Sequence, residues 1–222
     1  MPPEGALYLF LLGLASGVAL LTISAYRRVS PGWLKWLLVA CGALVISRYA
    51  TMALFASAET PEQVWGFRHC LFASYLGLTL PSVFAIDQLL RHPAMTPKKL
   101  LAWFSPFLLA YGALILAADA SPVADPVMGW MPKLSPGWRL FASSVQGVYI
   151  LGFVGISVML IRKVPVPSIR IALLGLILAH LALGLDGLLL SLGAWYFRPF
   201  LYSEMLTLFA LWHAYQTAAQ QT

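Results

Sequence analysis

Seven stretches of this chain are apolar for about 20 residues each, the length an α-helix needs to cross roughly 30 Å of hydrocarbon. They run Leu7 to Ala25, Leu34 to Phe55, His69 to Leu90, Leu100 to Ala118, Leu140 to Ile161, Ile171 to Leu192 and Pro199 to Thr217. In hydrocarbon every backbone polar group must be satisfied within the protein, so a chain built of such stretches folds as a helical bundle. A content of 60% hydrophobic and 10% charged residues belongs to a chain whose solvent is lipid. Little of the sequence is left over. The expectation is one all-α domain over 1–222, a polytopic integral membrane bundle of seven transmembrane helices.

Charge sets the orientation. The loops after the first, third and fifth stretches hold nine basic residues: Arg27, Arg28, Lys35, Arg91, Lys98, Lys99, Arg162, Lys163 and Arg170. The other loops hold Arg68, Lys133, Arg139 and Arg198, diluted by Glu59, Glu62, Asp119 and Asp125. Lys and Arg near helix ends are retained in the cytoplasm, so the N-terminus reads as outside and the C-terminus as cytoplasmic. The first stretch follows "MPPEGA", with Glu4 and no Lys or Arg, and precedes Arg27 and Arg28. That layout reads as an uncleaved helix rather than a secretory signal. The net charge of +6 lies mostly on one face, where the partner is an anionic lipid bilayer and no nucleic acid is implied. The expected location is a cell membrane, multi-pass, of the bacterial inner-membrane kind.

Several local features refine the layout. "DASPVADPVMGWMPKLSPGWR" from Asp119 to Arg139 reads as a loop at headgroup level, with Trp130 and Trp138 in the aromatic belt. Pro81 and Pro106 fall inside helices, where each frees a carbonyl and favours a kink. Cys41 and Cys70 sit at different depths, which disfavours a disulfide. Sliding the first half by 135 positions lays "RRVSPGWLK" over "RKVPVPSIR". This raises a 3+1+3 pseudo-repeat of the kind some transporters use, against the alternative that the orientation rule alone places these charges.

The candidate site comes from depth. "IALLGLILAHLALGLDGLLLSLGAW" carries Asp186 inside an apolar run, and a charge there needs a partner or a function. At about 1.5 Å per residue, Arg48 in the second stretch, Asp186 in the sixth and Glu204 in the seventh share the outer half of the membrane. Tyr49, Tyr202 and Ser203 fall at similar depth, with Arg68 and His69 just above. Pairing Arg48 with Asp186 or Glu204 offsets most of the insertion cost. The expected ligand-binding set is therefore Arg48, Tyr49, Arg68, His69, Asp186, Tyr202 and Glu204, with a charge network that merely fixes packing as the alternative.

Metal chemistry is not expected. His180 lies near the middle of its helix and His213 near the cytoplasmic end of the last one, while His180 and Asp186 are six apart and share no face. His180 reads as a hydrogen-bonded helix contact and His213 as interfacial. Asp87 and Arg91, four apart, read as a local pair. No catalytic constellation assembles, and no cofactor is named by the sequence.

Seven helices with an outside N-terminus resemble the layout of microbial rhodopsins. The stretch "PFLYSEMLTLFALWHAYQT" has no lysine, so a retinal Schiff base is excluded. Seven-helix hydrolases of the adiponectin-receptor and alkaline-ceramidase kind carry a multi-histidine zinc site that His180 and His213 do not reproduce. The layout is also similar to the sugar exporters built from two three-helix bundles, without their proline-glutamine signatures, and to seven-helix modules at the head of histidine kinases. These likenesses cover architecture alone. The resulting expectation is a receptor or sensor module whose charged site opens outward to a small solute or lipid headgroup. Because "AYQTAAQQT" ends the sequence, a cytoplasmic signalling partner would supply the output. A small-solute transporter and an accessory subunit of a membrane complex are the alternatives.

The charge bias predicts that a reporter fused after Thr222 reads as cytoplasmic and one inserted near Asp125 reads as external. The opposite pattern would overturn the depth argument with it.

Overall fold

Each apolar run forms a helix. In the computed structural model, which describes residues 3–91, 96–125, 128–191 and 200–220, these are α1 (Pro3–Tyr26), α2 (Gly32–Ser57), α3 (Ser74–Leu90), α4 (Pro97–Ala117), α5 (Pro136–Ile161), α6 (Pro167–Ser191) and α7 (Leu201–Ala219). Local chemistry sets their ends. Proline opens α4 and α5, where its missing N–H is one the helix would leave unbonded anyway. The Thr96 hydroxyl oxygen accepts from the Lys99 N–H at 3.4 Å, satisfying another of those donors. Arg91 stops α3 in the left-handed conformation with φ of 45°.

Two segments depart from expectation. The third apolar run predicts a regular helix from His69 onward. Its first residues, up to Phe72, instead end a 3₁₀ helix, Trp65–Phe72, that hands over to α3 at Ser74. The stretch expected as a loop forms a hairpin, with β1 (Ala120–Asp125) antiparallel to β2 (Gly129–Leu134) and Pro122 opposite Pro132. In a ribbon of two strands both are edge strands, which tolerate proline. The hairpin lands on the end of α2: Gly129 has φ of 70°, and a Cβ there would stand 2.3 Å from the Phe55 carbonyl oxygen. Its tip, 126–127, lies outside the described residues.

Among the described residues, six segments are long and apolar enough to cross a membrane: Glu4–Tyr26, Gly32–Ser57, Trp65–Leu90, Pro97–Ala117, Pro136–Ile161 and Pro167–Leu189. The architecture is that of a multi-pass all-α membrane protein. α7 does not join them, because Ser203, Glu204, Thr207, His213 and Gln216 make it too polar. It packs one side against α6, α1 and α3, with Ser203, Glu204 and Thr207 buried there, while Tyr202, Leu206 and Phe209 remain exposed on the other. The protein-facing side of such a helix is free of the demand that it be apolar. α4 is the converse, with Trp103, Leu109 and Leu116 each more than three-quarters exposed. The turns between α1 and α2, α3 and α4, and α5 and α6 gather the nine basic residues at one end, opposite the hairpin.

α3 runs through Pro81 without interruption. Neighbouring tyrosines bond the carbonyls beside it: Tyr149 of α5 donates to Thr79 O at 3.1 Å, and Tyr215 of α7 donates to Pro81 O at 2.8 Å. α2 and α3 meet closely at Gly77, where a Cβ would stand 2.5 Å from Val45 Cγ2 and 2.9 Å from the Cys41 carbonyl oxygen. Gly77→Ala is therefore expected to destabilise by about 1–3 kcal/mol, the usual cost of overpacking. Gly13→Ala, whose Cβ meets nothing within 4 Å, should be neutral or stabilise by up to about 1 kcal/mol. Thermal unfolding of both variants in detergent checks the contrast.

Candidate functional site

The site is built where α2, α7 and the 3₁₀ segment meet near the hairpin end. Arg48 stands about two-thirds of the way along α2, and Glu204 lies in the first turn of α7. Their contact uses two parallel bonds, from Arg48 Nη2 to Glu204 Oε1 at 3.1 Å and from Nε to Oε2 at 3.2 Å. The side chains are 14% and 4% exposed, so the pair is withdrawn from both lipid and water. Bidentate geometry satisfies both carboxylate oxygens at once, the condition under which a buried pair recovers its desolvation cost.

Arg48 has a second partner. Its Nη1 donates to the Leu71 carbonyl oxygen, in the last turn of the 3₁₀ helix. One guanidinium thus joins α2, α7 and the segment that leads into α3. The Tyr49 hydroxyl is buried beside the Glu204 carboxylate without a formed hydrogen bond. Tyr75 of α3 and Tyr8 of α1 lie within electrostatic reach of Arg48 as well. The result is a charged pair ringed by phenols from three helices.

Asp186, expected in the same cluster as a partner of Arg48, serves the start of α7. Its Oδ2 accepts from the Phe200 backbone N–H at 3.1 Å and from the Ser203 hydroxyl at 2.5 Å. Phe200 precedes the helix with φ of 68°, a conformation that costs a non-glycine residue about 1–2 kcal/mol. The carboxylate holds that turn and places negative charge at the positive end of α7. The same hydroxyl lies 3.1 Å from Phe200 O, so its one proton is shared between that carbonyl and the carboxylate.

The remaining expected residues disperse. Arg68 donates to Trp65 O at 3.2 Å, and its guanidinium lies 5.6 Å from the centre of the Trp65 ring. His69 Nδ1 lies 2.6 Å from Ile115 O, tying the 3₁₀ segment to α4. Tyr202 is 44% exposed and faces away from Glu204, since two residues turn a helix by about 200°. The structure brings Arg48, Glu204 and Tyr49 together, and Asp186 with Ser203 one step further round. Leu71, Tyr75 and Tyr8 join the site without any signal in the sequence, because a backbone carbonyl and phenols in apolar runs carry no charge.

The two internal histidines are separate from this site. His180 is fully buried; its Nδ1–H donates to Leu176 O at 2.8 Å, and its Nε2 lies 3.2 Å from the Tyr149 hydroxyl, whose single proton is shared between that nitrogen and Thr79 O. Phe153 stacks on the imidazole with ring centroids 4.0 Å apart. His213 is half-buried on α7. Among the described residues no three His, Cys, Asp or Glu side chains converge as a metal site would require. Arg91, expected to pair with Asp87, instead donates to Ala218 O at 3.1 Å, and Asp87 accepts from Gln88 at 3.3 Å. Arg28 reaches Gln216 Oε1 at 2.9 Å. Polar bonds therefore fasten α7 at both ends.

Comparison of the chain with protein-family models, curated proteins and solved structures gives no match.

Removing one member of the pair strands the other. Arg48→Leu and Glu204→Leu should each destabilise by about 3–5 kcal/mol, while the Arg48→Leu/Glu204→Leu double variant should lie close to the parent. Asp186→Asn keeps an oxygen that can accept from both Phe200 and Ser203, so its cost should be smaller than either single variant's. Thermal or denaturant unfolding in one detergent orders the four proteins, and equal losses for the double and single variants would contradict the pairing.

Proposed function

We propose that this protein is a membrane receptor module in which the Arg48–Glu204 pair is the element that a ligand displaces. All seven helices cross the membrane in this reading, with the hairpin end outside and the basic end in the cytoplasm, as the nine basic residues suggest. The observation that carries it is the three-way attachment of Arg48. The same guanidinium holds Glu204 on α7 and the Leu71 carbonyl on the outer segment, beside the buried Tyr49 hydroxyl, which faces the Glu204 carboxylate without a formed hydrogen bond.

The ligand class follows from what the site is short of. A carboxylate or phosphate group, carried by a small solute or a lipid headgroup, offers acceptors to both Arg48 and Tyr49 and competes with Glu204. Displacing Glu204 frees the first turn of α7, and α7 runs to the opposite end, where Arg28 and Arg91 bond it. Ligand binding then biases two packings of α7, which is the minimum a receptor requires. A cytoplasmic partner reads the change.

A purely structural role is the second reading, and one observation favours it: both Glu204 oxygens are already bonded to Arg48. A thermal-shift screen of the purified protein against small carboxylates and phosphates separates the two. The receptor reading expects at least one anion to raise the melting temperature of the parent protein and to leave the folded Arg48→Leu/Glu204→Leu variant unmoved. No shift with any anion, or equal shifts in both proteins, would leave the packing role.

A further inference from the structure

A shallow hollow of about 460 Å³ lies between the start of α2 and the outer face of α4, at the basic end. It is lined by Trp33, Lys98, Leu101, Ala102, Ser105 and Leu108. These residues are ordered by depth. Lys98 is in the first turn of α4, and Trp33 is in the first turn of α2, so an ammonium and an indole stand where a membrane's polar and apolar zones meet. Leu101, Ser105 and Leu108 follow as one helical stripe descending about 10 Å into the apolar zone.

The hollow has identifiable causes. Ala102 is the small side chain on the α4 side. Trp33 is held by an edge contact with Phe84 of α3, with ring centroids 6.5 Å apart, so the wall opposite α4 is fixed. Pro106 cannot donate to the Ala102 carbonyl oxygen one turn earlier. The Ser105 hydroxyl does so at 2.7 Å, which leaves the stripe without an unsatisfied polar group against an acyl chain.

We propose that this hollow binds one anionic diacyl phospholipid, its phosphate at Lys98 and an acyl chain along Leu101, Ser105 and Leu108. Charge decides the occupant. The end of the bundle that holds the hollow also holds Lys35, Arg91 and Lys99, a setting that favours an anionic headgroup over a zwitterionic one and over a neutral apolar helix. The inference is independent of what occupies the Arg48 site.

Native mass spectrometry tests it, using the full chain released from detergent after exposure to equimolar phosphatidylglycerol and phosphatidylcholine of the same acyl composition. The expected result is a one-lipid adduct dominated by phosphatidylglycerol. Lys98→Gln should reduce that preference about fivefold, the contribution of one cation near an anionic surface. Ala102→Trp, at an exposed position, should fill the hollow and remove the adduct while circular dichroism stays unchanged. Lys163→Gln, also at the basic end but away from the hollow, should leave the adduct as in the parent. Equal retention of the two lipids by the parent protein, a Lys98→Gln preference equal to the parent's, or a polypeptide retained in place of lipid would each overturn the proposal.

Discussion

The architecture depends on one requirement, that a helix turning a polar side into an apolar bundle have each of its buried charges met by a neighbour. α7 carries Glu204 near its start and buries it to 4% exposure. Arg48 meets it with two bonds and gives a third to Leu71 O. Without that match, burying the carboxylate would be prohibitive, and α7 could not turn its polar side to α1, α3 and α6. The bonds at its other end, from Arg28 and Arg91, complete the same rule. Packing around α7 is therefore a consequence of polar satisfaction as much as of apolar area.

Depth is readable in the sequence and azimuth is not. Counting residues from the helix ends places Arg48, Asp186 and Glu204 in one layer; Arg48 meets Glu204, and Asp186 meets Ser203 beside it. The count does not say which way Asp186 points. Its carboxylate turns to the start of α7, and the need it meets, a left-handed Phe200 with an open N–H, arises from a turn that no apolar pattern announces. The hairpin is hidden for a related reason. Pro122 and Pro132 argue against strands in a sheet interior, yet a two-stranded ribbon has no interior. The seven-helix count is legible as helices, while the polarity that keeps α7 out of the set of self-sufficient spans marks the side it turns to the protein, where Ser203, Glu204 and Thr207 are buried.

Within the receptor reading, the same features acquire a direction. A contact that holds two elements by one side chain can be released by competition for that side chain, and Arg48 links a segment at the hairpin end to a helix that reaches the basic end. The hairpin itself, seated on the end of α2 at Gly129 and Phe55, lies a short way above Arg48 along the same helix. His180 and Tyr149 act elsewhere in the bundle. They join α5, α6 and α3 around Pro81, holding steady the part against which α7 would move.

One Arg48 guanidinium holds both the 3₁₀ segment and α7, so a change at α7 is expected to reach that segment and not α2 alone. Hydrogen-exchange mass spectrometry of Glu204→Gln measures this directly. Coupling predicts faster amide exchange both in the first turns of α7 and across Trp65–Phe72, because a weakened Arg48–Glu204 contact also loosens the bond to Leu71 O. Faster exchange confined to α7, with Trp65–Phe72 as protected as in the parent protein, would contradict it.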